Sequence, residues 1–97
     1  MKATIVYIDV KPECIEKFSE ACVYNHDNSR KEPENIRFDV LQSKDDPTKF
    51  MLYEVFEDDA AITFHKTTEH YKKWAEVAEE SMAAPRSKTS VNALAFN

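Results

Sequence analysis

Asn35-Ile36-Arg37-Phe38-Asp39-Val40-Leu41-Gln42, followed by Ser43 to Thr48 and then Lys49-Phe50-Met51-Leu52-Tyr53-Glu54-Val55-Phe56, is the stretch whose reading decides the fold. Ile36 to Gln42 and Lys49 to Phe56 alternate and are rich in β-branched and aromatic residues, the pattern of strands. The connection carries Asp45-Asp46-Pro47, which is turn chemistry. The two runs therefore pair as a hairpin.

Ala3 to Val10 upstream alternates in the same way, with Thr4, Val6, Ile8 and Val10 on one face and Ile5 and Tyr7 on the other. Lys11-Pro12 opens a helix, because proline suits a first turn, and Ile15, Phe18 and Cys22 follow at spacings of three and four. The stripe runs on into Asn25 and Ser29 until Pro33 ends the helix. Downstream, Asp58 or Asp59 caps a helix over Ala60 to Lys66 that pauses at Thr67-Thr68 and restarts at Glu69 with Thr68 as its cap. Tyr71, Trp74, Val77 or Ala78, and Met82 form its apolar stripe; Pro85 closes it, and Lys88 to Phe96 reads as a last strand.

The order βαββαβ predicts an α+β class, a ferredoxin-like antiparallel sheet with helices on one face. Two helices cover only one face of four strands, yet Ile5, Tyr7, Met51 and Tyr53 place apolar groups on the other as well. A second copy of the chain is the expected cover.

With 97 residues, 42% of them hydrophobic, the chain has length for one domain, taken as 1–97. Thirteen Lys and Arg stand against 18 Asp and Glu, a formal charge of −5, with no long basic tract. Nucleic acid is thus not an expected partner. No apolar run reaches membrane-spanning length and no secretory leader pattern opens the chain, so a cytoplasmic location is expected. Cys14 and Cys22 would sit about 12 Å apart on one helix and cannot bridge. Glycine is absent, against a usual share of about 7%, which argues against phosphate-cradling loops, dinucleotide fingerprints and nucleophile elbows.

Asn25, His26, Ser29, Arg37, Asp39, Tyr53, Glu54, His65, Lys66 and His70 intrude polar chemistry into otherwise apolar segments. Such groups are either paired or used, and together they read as the lining of a small-molecule pocket. Arg37 and Asp39 share one side of a strand, so a mutual salt bridge competes with anion binding by Arg37. His70 reads first as a helix-start residue, and Lys66, Arg30 and Arg86 as surface charges that double as phosphate candidates. His65, His70, His26 and Glu54 lack the helical spacing of known zinc motifs, and no metal is expected.

Three runs, Asn35 to Gln42, Phe50 to Glu54, and His65-Lys66-Thr67-Thr68-Glu69-His70-Tyr71 with Trp74, resemble the antibiotic biosynthesis monooxygenase domain family of dimeric α+β barrels, over nearly the whole chain. Asn25-His26, Ser29, Glu32, Met82 and Pro85-Arg86 look most like a branch that isomerises a phosphorylated autoinducer-2 product, itself similar to small quinol monooxygenases. One departure is Glu34 after Pro33, where relatives usually carry glycine before the residue matching Asn35. The resemblance implies a homodimer and a cofactor-independent enzyme acting on a small carbonyl or quinol compound through an enolate or phenolate.

On that reading Asn25, His26, His65 and Tyr53 are the catalytic candidates. An imidazole such as His65 removes a proton beside a carbonyl, and Asn25 hydrogen-bonds the developing oxyanion. Arg37, Lys66, Glu54, Ser29 and Trp74 are the expected substrate-binding residues. The rival is a dimeric module that binds a small metabolite without turning it over.

Overall fold

The computed structural model describes residues 1–96. Its elements are β1 (Lys2–Asp9), α1 (Ile15–Ser29), β2 (Asn35–Gln42), β3 (Lys49–Phe56), α2 (Asp59–Thr67), α3 (Glu69–Ser81) and β4 (Ser87–Val91), with a 3-10 turn at Pro12–Cys14 before α1. The strands form one antiparallel sheet in the order β2-β3-β1-β4. This is the ferredoxin-like α+β arrangement that the alternation of the hairpin and the helical stripes predict.

Register follows from side-chain alternation. Leu52 pairs with both Val6 and Val40, and Phe50 with Ile8, so these residues lie on the sheet face under the helices. Phe18 and Cys22 of α1 and Trp74 and Ala78 of α3 close the core over them. The Phe18 ring meets Phe50 edge-on at 4.9 Å, and burying each such side chain contributes about 2–3 kcal/mol. Both cysteines are buried and unbridged.

The bounds of the first helix and of the last strand differ from expectation, and β1 is shifted by one residue, to Lys2–Asp9. The first helix ends at Ser29 rather than at Pro33. The following residues instead make a tight turn in which Asn35 N donates to Glu32 O at 3.2 Å, with Pro33 and Glu34 at its centre. Arg30 Nη1 then holds Asn35 through its carbonyl at 2.9 Å and its side-chain oxygen at 2.7 Å. Glu34 is thus accommodated in a proline-led turn.

Between Asp58 and Ser81 the helix breaks where the sequence predicts, giving α2 and α3. Asp58 caps α2, accepting from Ala61 N at 2.9 Å. Thr68 is extended at φ −74 and ψ 153, and its Oγ1 accepts from Tyr71 N at 3.2 Å to start α3.

The last strand stops at Val91 instead of reaching Phe96. Val91 pairs with Ala3, and β1 begins one residue earlier at Lys2, so the ladder runs out of partners. The chain then turns back over the sheet face opposite the helices, bringing the Phe96 ring to 5.3 Å from Arg37 Cζ on β2.

Candidate active site

Glu32, in the turn between α1 and β2, is only 8% exposed. Its Oε2 accepts from His65 Nδ1 at 2.7 Å and from His70 Nε2 at 2.6 Å. Burying a carboxylate is costly unless charge or hydrogen bonds compensate it, and here two imidazoles supply the bonds. Glu32 Oε1 is buried and without a hydrogen-bond partner among the described residues. Because a carboxylate only accepts, the nitrogens that face it carry the protons. His65 Nε2 is then the lone-pair nitrogen.

The helix break builds this cluster. On a continuous helix two residues five positions apart project about 140° from each other. Thr68 turns the chain, its N and Oγ1 both donating to His65 O at 3.1 and 2.6 Å. The two rings consequently converge, with centroids 5.7 Å apart. Phe38, Phe56 and Tyr71 pack around His65 with centroids 5.9, 5.1 and 5.2 Å away. This apolar enclosure lowers the His65 pKa by desolvation, while the Glu32 carboxylate pulls it back up.

His65 also lines a cleft of ≈ 700 Å³ between the helix-side face of the sheet and α2 and α3. Glu54, on the same strand face as Phe50 and Leu52, projects into it, as do Tyr71 and Trp74. Burial pushes the Glu54 carboxyl up to about 7, against the pull of Lys66, Lys88 and Arg86, with the Glu32 charge adding to the rise. Lys66, Arg86 and Lys88 bring cations to the same cleft. The Arg86 guanidinium lies over the Trp74 ring, 5.2 Å from its centroid. A base with a free lone pair, a carboxyl poised near neutrality and a group of cations suit proton transfer on a small anionic compound.

The antibiotic biosynthesis monooxygenase family model matches residues 1–77. A 4-hydroxy-5-phosphonooxypentane-2,3-dione isomerase from Klebsiella pneumoniae is 44% identical over 90 residues, covering 93% of this chain and 92% of that one. Another from Yersinia enterocolitica is 46% identical, covering 93% and 94%. The solved structure of a Nitrosomonas europaea protein, provisionally described as an antibiotic biosynthesis monooxygenase, superimposes with a TM-score of 0.92 at 44% identity, covering 98% and 100%. The chain belongs to the antibiotic biosynthesis monooxygenase family. It is an enzyme of that family, whose relatives carry isomerase and monooxygenase names.

On this monooxygenase-family fold the sequence candidates separate. Glu54, His65, Lys66 and Trp74 come together at the cleft. Arg37 and Tyr53 do not reach it, because they alternate with Phe38 and with Leu52 and Glu54 and so face the other side of the sheet. There Arg37 Nε pairs with Asp39 Oδ2 at 3.2 Å and its guanidinium lies 5.8 Å from the Tyr53 ring. Asn25 and Ser29 are buried on α1, where Ser29 Oγ donates to Asn25 Oδ1 at 3.1 Å, and neither lines the cleft. His26 likewise lies outside it, with Nδ1 bonded to the Phe38 carbonyl on edge strand β2.

Glu32, Arg86 and Lys88 carry more of this site than their sequence context suggests. His70, read as a helix-start residue, shares the buried carboxylate with His65. Glu32, His65 and His70 also place three donor atoms within 4.8 Å of one another, a donor set known for divalent metals. Helical spacing does not reveal it, since one donor comes from the α1–β2 turn and the other two straddle a helix break. The available signal was the resemblance, which includes Glu32 among the residues of the isomerising branch without giving it a role.

Proposed function

We propose that this enzyme isomerises a phosphorylated hydroxydione of the kind named for its relatives, by moving a proton between adjacent carbons. The observation that carries the reading is His65, bonded at Nδ1 to Glu32 and lining a cleft that also holds Glu54, Lys66, Arg86 and Lys88. The C4–H bond of such a substrate is acidified by the neighbouring C3 carbonyl. His65 Nε2 takes that proton, and the electron pair moves through a C3–C4 double bond onto the C3 oxygen to give an enediolate. Glu54 passes the hydroxyl proton from the C4 oxygen to the C3 oxygen, and the proton returns to carbon at C3. A 3-hydroxy-2,4-dione results with no change in atoms or oxidation state. Lys66, Arg86 and Lys88 hold the phosphate, and Trp74 walls the carbon chain.

The same reading takes residues 1–97 as one cytoplasmic domain that works as a homodimer, without a nucleic-acid partner and without a cofactor. Tyr7 and Leu41, 41% and 49% exposed on the sheet face away from the helices, support a second copy as its cover.

Incubation with the phosphorylated dione in deuterium oxide tests the proposal by nuclear magnetic resonance. Deuterium at C3 of the product, lost in His65→Gln, is the expected result. Oxygen uptake with quinols and no exchange on the dione would overturn it.

A further inference from the structure

Glu32 does not line the large cleft. On its other side it borders a separate hollow of ≈ 190 Å³ shared with Pro33, Glu34, Ala61 and Phe64. Its carboxylate therefore meets the cleft only through His65. It is also pinned: Glu32 N donates to Ser29 O at 3.0 Å and Glu32 O accepts from Asn35 N at 3.2 Å. Asn35 is in turn bonded to β2 and β3 through Arg37 O at 3.2 Å and Val55 O at 3.4 Å.

The rings around His65 belong to Phe38, Phe56, Tyr71 and His70, and its one side-chain hydrogen bond among the described residues is to Glu32. Among the described residues no other side-chain hydrogen bond fixes which nitrogen bears the proton. The second carboxylate oxygen, Oε1, remains buried with unspent acceptor capacity, so the charge of Glu32 is available to an imidazolium as one forms.

We infer that Glu32 is a positioning residue, which holds His65 as the Nδ1–H tautomer so that Nε2 is the base facing the cleft, while His70 steadies the carboxylate from the second side. The tautomer stands on its own; the effect on rate rests on the isomerase reading. His70 spends one lone pair of Oε2 and orients the carboxylate without entering the cleft, which its ring does not line. The arrangement follows a general rule for histidine bases, in which the group bonded to one ring nitrogen decides the state of the other.

Long-range proton–nitrogen correlation on protein labelled at histidine reads the tautomer without reference to turnover. Wild-type His65 is expected as Nδ1–H, and Glu32→Gln is expected to lose that preference. In the same variant kcat for the phosphorylated dione should fall about 100-fold or more with KM within about threefold, the split expected of a group acting through the base. Glu32→Asp should recover part of the rate. If Glu32→Gln does not fold, the wild-type spectrum decides alone, and an Nε2–H His65 overturns the inference. Unchanged tautomer and kcat in a folded Glu32→Gln overturn it too, as does activity that a chelator removes and a divalent metal restores. If no dione turns over, the isomerase reading fails while the tautomer assignment is still decided by the spectrum.

Discussion

His65 and His70 stand on different helices, five residues apart, yet their ring centroids lie 5.7 Å apart and both rings bond one oxygen of Glu32. The cap at Thr68 makes that possible by ending one helix and starting the next. A site made from a helix break depends on the residues that hold the break.

Removing the Thr68 hydroxyl should therefore act on both stability and site. Thr68→Ala is expected to cost about 1 kcal/mol, the usual worth of such a cap. Its hydroxyl bonds His65 O and Tyr71 N, so loosening of the His65–His70 pair should accompany the loss. Denaturant unfolding measures the first effect, and histidine chemical shifts the second.

Breaking the buried pair from either side should be more damaging than removing it whole. His65→Ala leaves Glu32 with one partner in a site where its side chain is 6% exposed. A double-mutant cycle of His65→Ala with Glu32→Gln is expected to show a coupling of about 1–2 kcal/mol, with the double variant more stable than the sum of the two losses predicts. Equilibrium unfolding of the four proteins reads it directly.

Glu54 sets a pH dependence of known sign. Its carboxyl is raised from 4.5 to about 7 in the fold, chiefly by burial. A raised folded pKa means that its contribution to stability is complete below the unfolded value and is lost as pH rises through the folded one. Between pH 4.5 and about 7 the wild-type protein should thus lose stability from this group. Glu54→Gln removes that loss. At pH 8 the variant should gain about 1–2 kcal/mol over wild type, a figure kept below the full linkage value because the carboxyl borders an open cleft, and the gain should vanish near pH 4. Thermal melts across pH test this, while the same variant should slow turnover under the proposed mechanism.

Lys66, Arg86 and Lys88 should separate binding from chemistry. Lys66→Ala, Arg86→Ala and Lys88→Ala are each expected to raise KM for the phosphorylated dione about tenfold with a small change in kcat, and the penalty should shrink as salt rises. Steady-state kinetics at two ionic strengths suffice. Arg86→Ala should have the largest effect, since Arg86 is half-buried and its guanidinium lies over Trp74, which restricts it before binding.

The sheet face away from the helices should carry self-association. Leu41→Glu places a charge on a residue 49% exposed there. Analytical ultracentrifugation is expected to show a homodimer for the wild type and a shift to monomer for Leu41→Glu. Unaltered sedimentation of both as monomers would remove the dimer from the proposal.

Much of the fold was legible because alternation and helical spacing are local properties. The runs Ile36 to Gln42 and Lys49 to Phe56 state their own conformation; the second appears as a strand with those bounds, and the first begins one residue earlier, at Asn35. The cap Thr68 was legible for the same reason, as a short polar side chain before an apolar stripe, while the choice of Asp58 over Asp59 was made by the fold. The end of the last strand was not, since Ser87–Val91 stops where β1 has no further residue to pair. Strand length is decided by the partner as well as by the strand.

The site divides along the same line. Sequence alone marked Glu54, His65, Lys66 and Trp74 through their chemistry and their segments, and the cleft unites them. Which side of the sheet Arg37 and Tyr53 face follows from register, and register with the bulge between Asn35 and Arg37 is a property of the paired strands. Glu32 became part of the site only in three dimensions. It stands 33 residues from His65 and 38 from His70, and no periodicity links a turn to the two ends of a broken helix. The sequence by itself determined the elements and the residue types available for chemistry; the tertiary structure decided which of them share one buried charge, because electrostatics and hydrogen bonding act over distances in space that chain separation does not set.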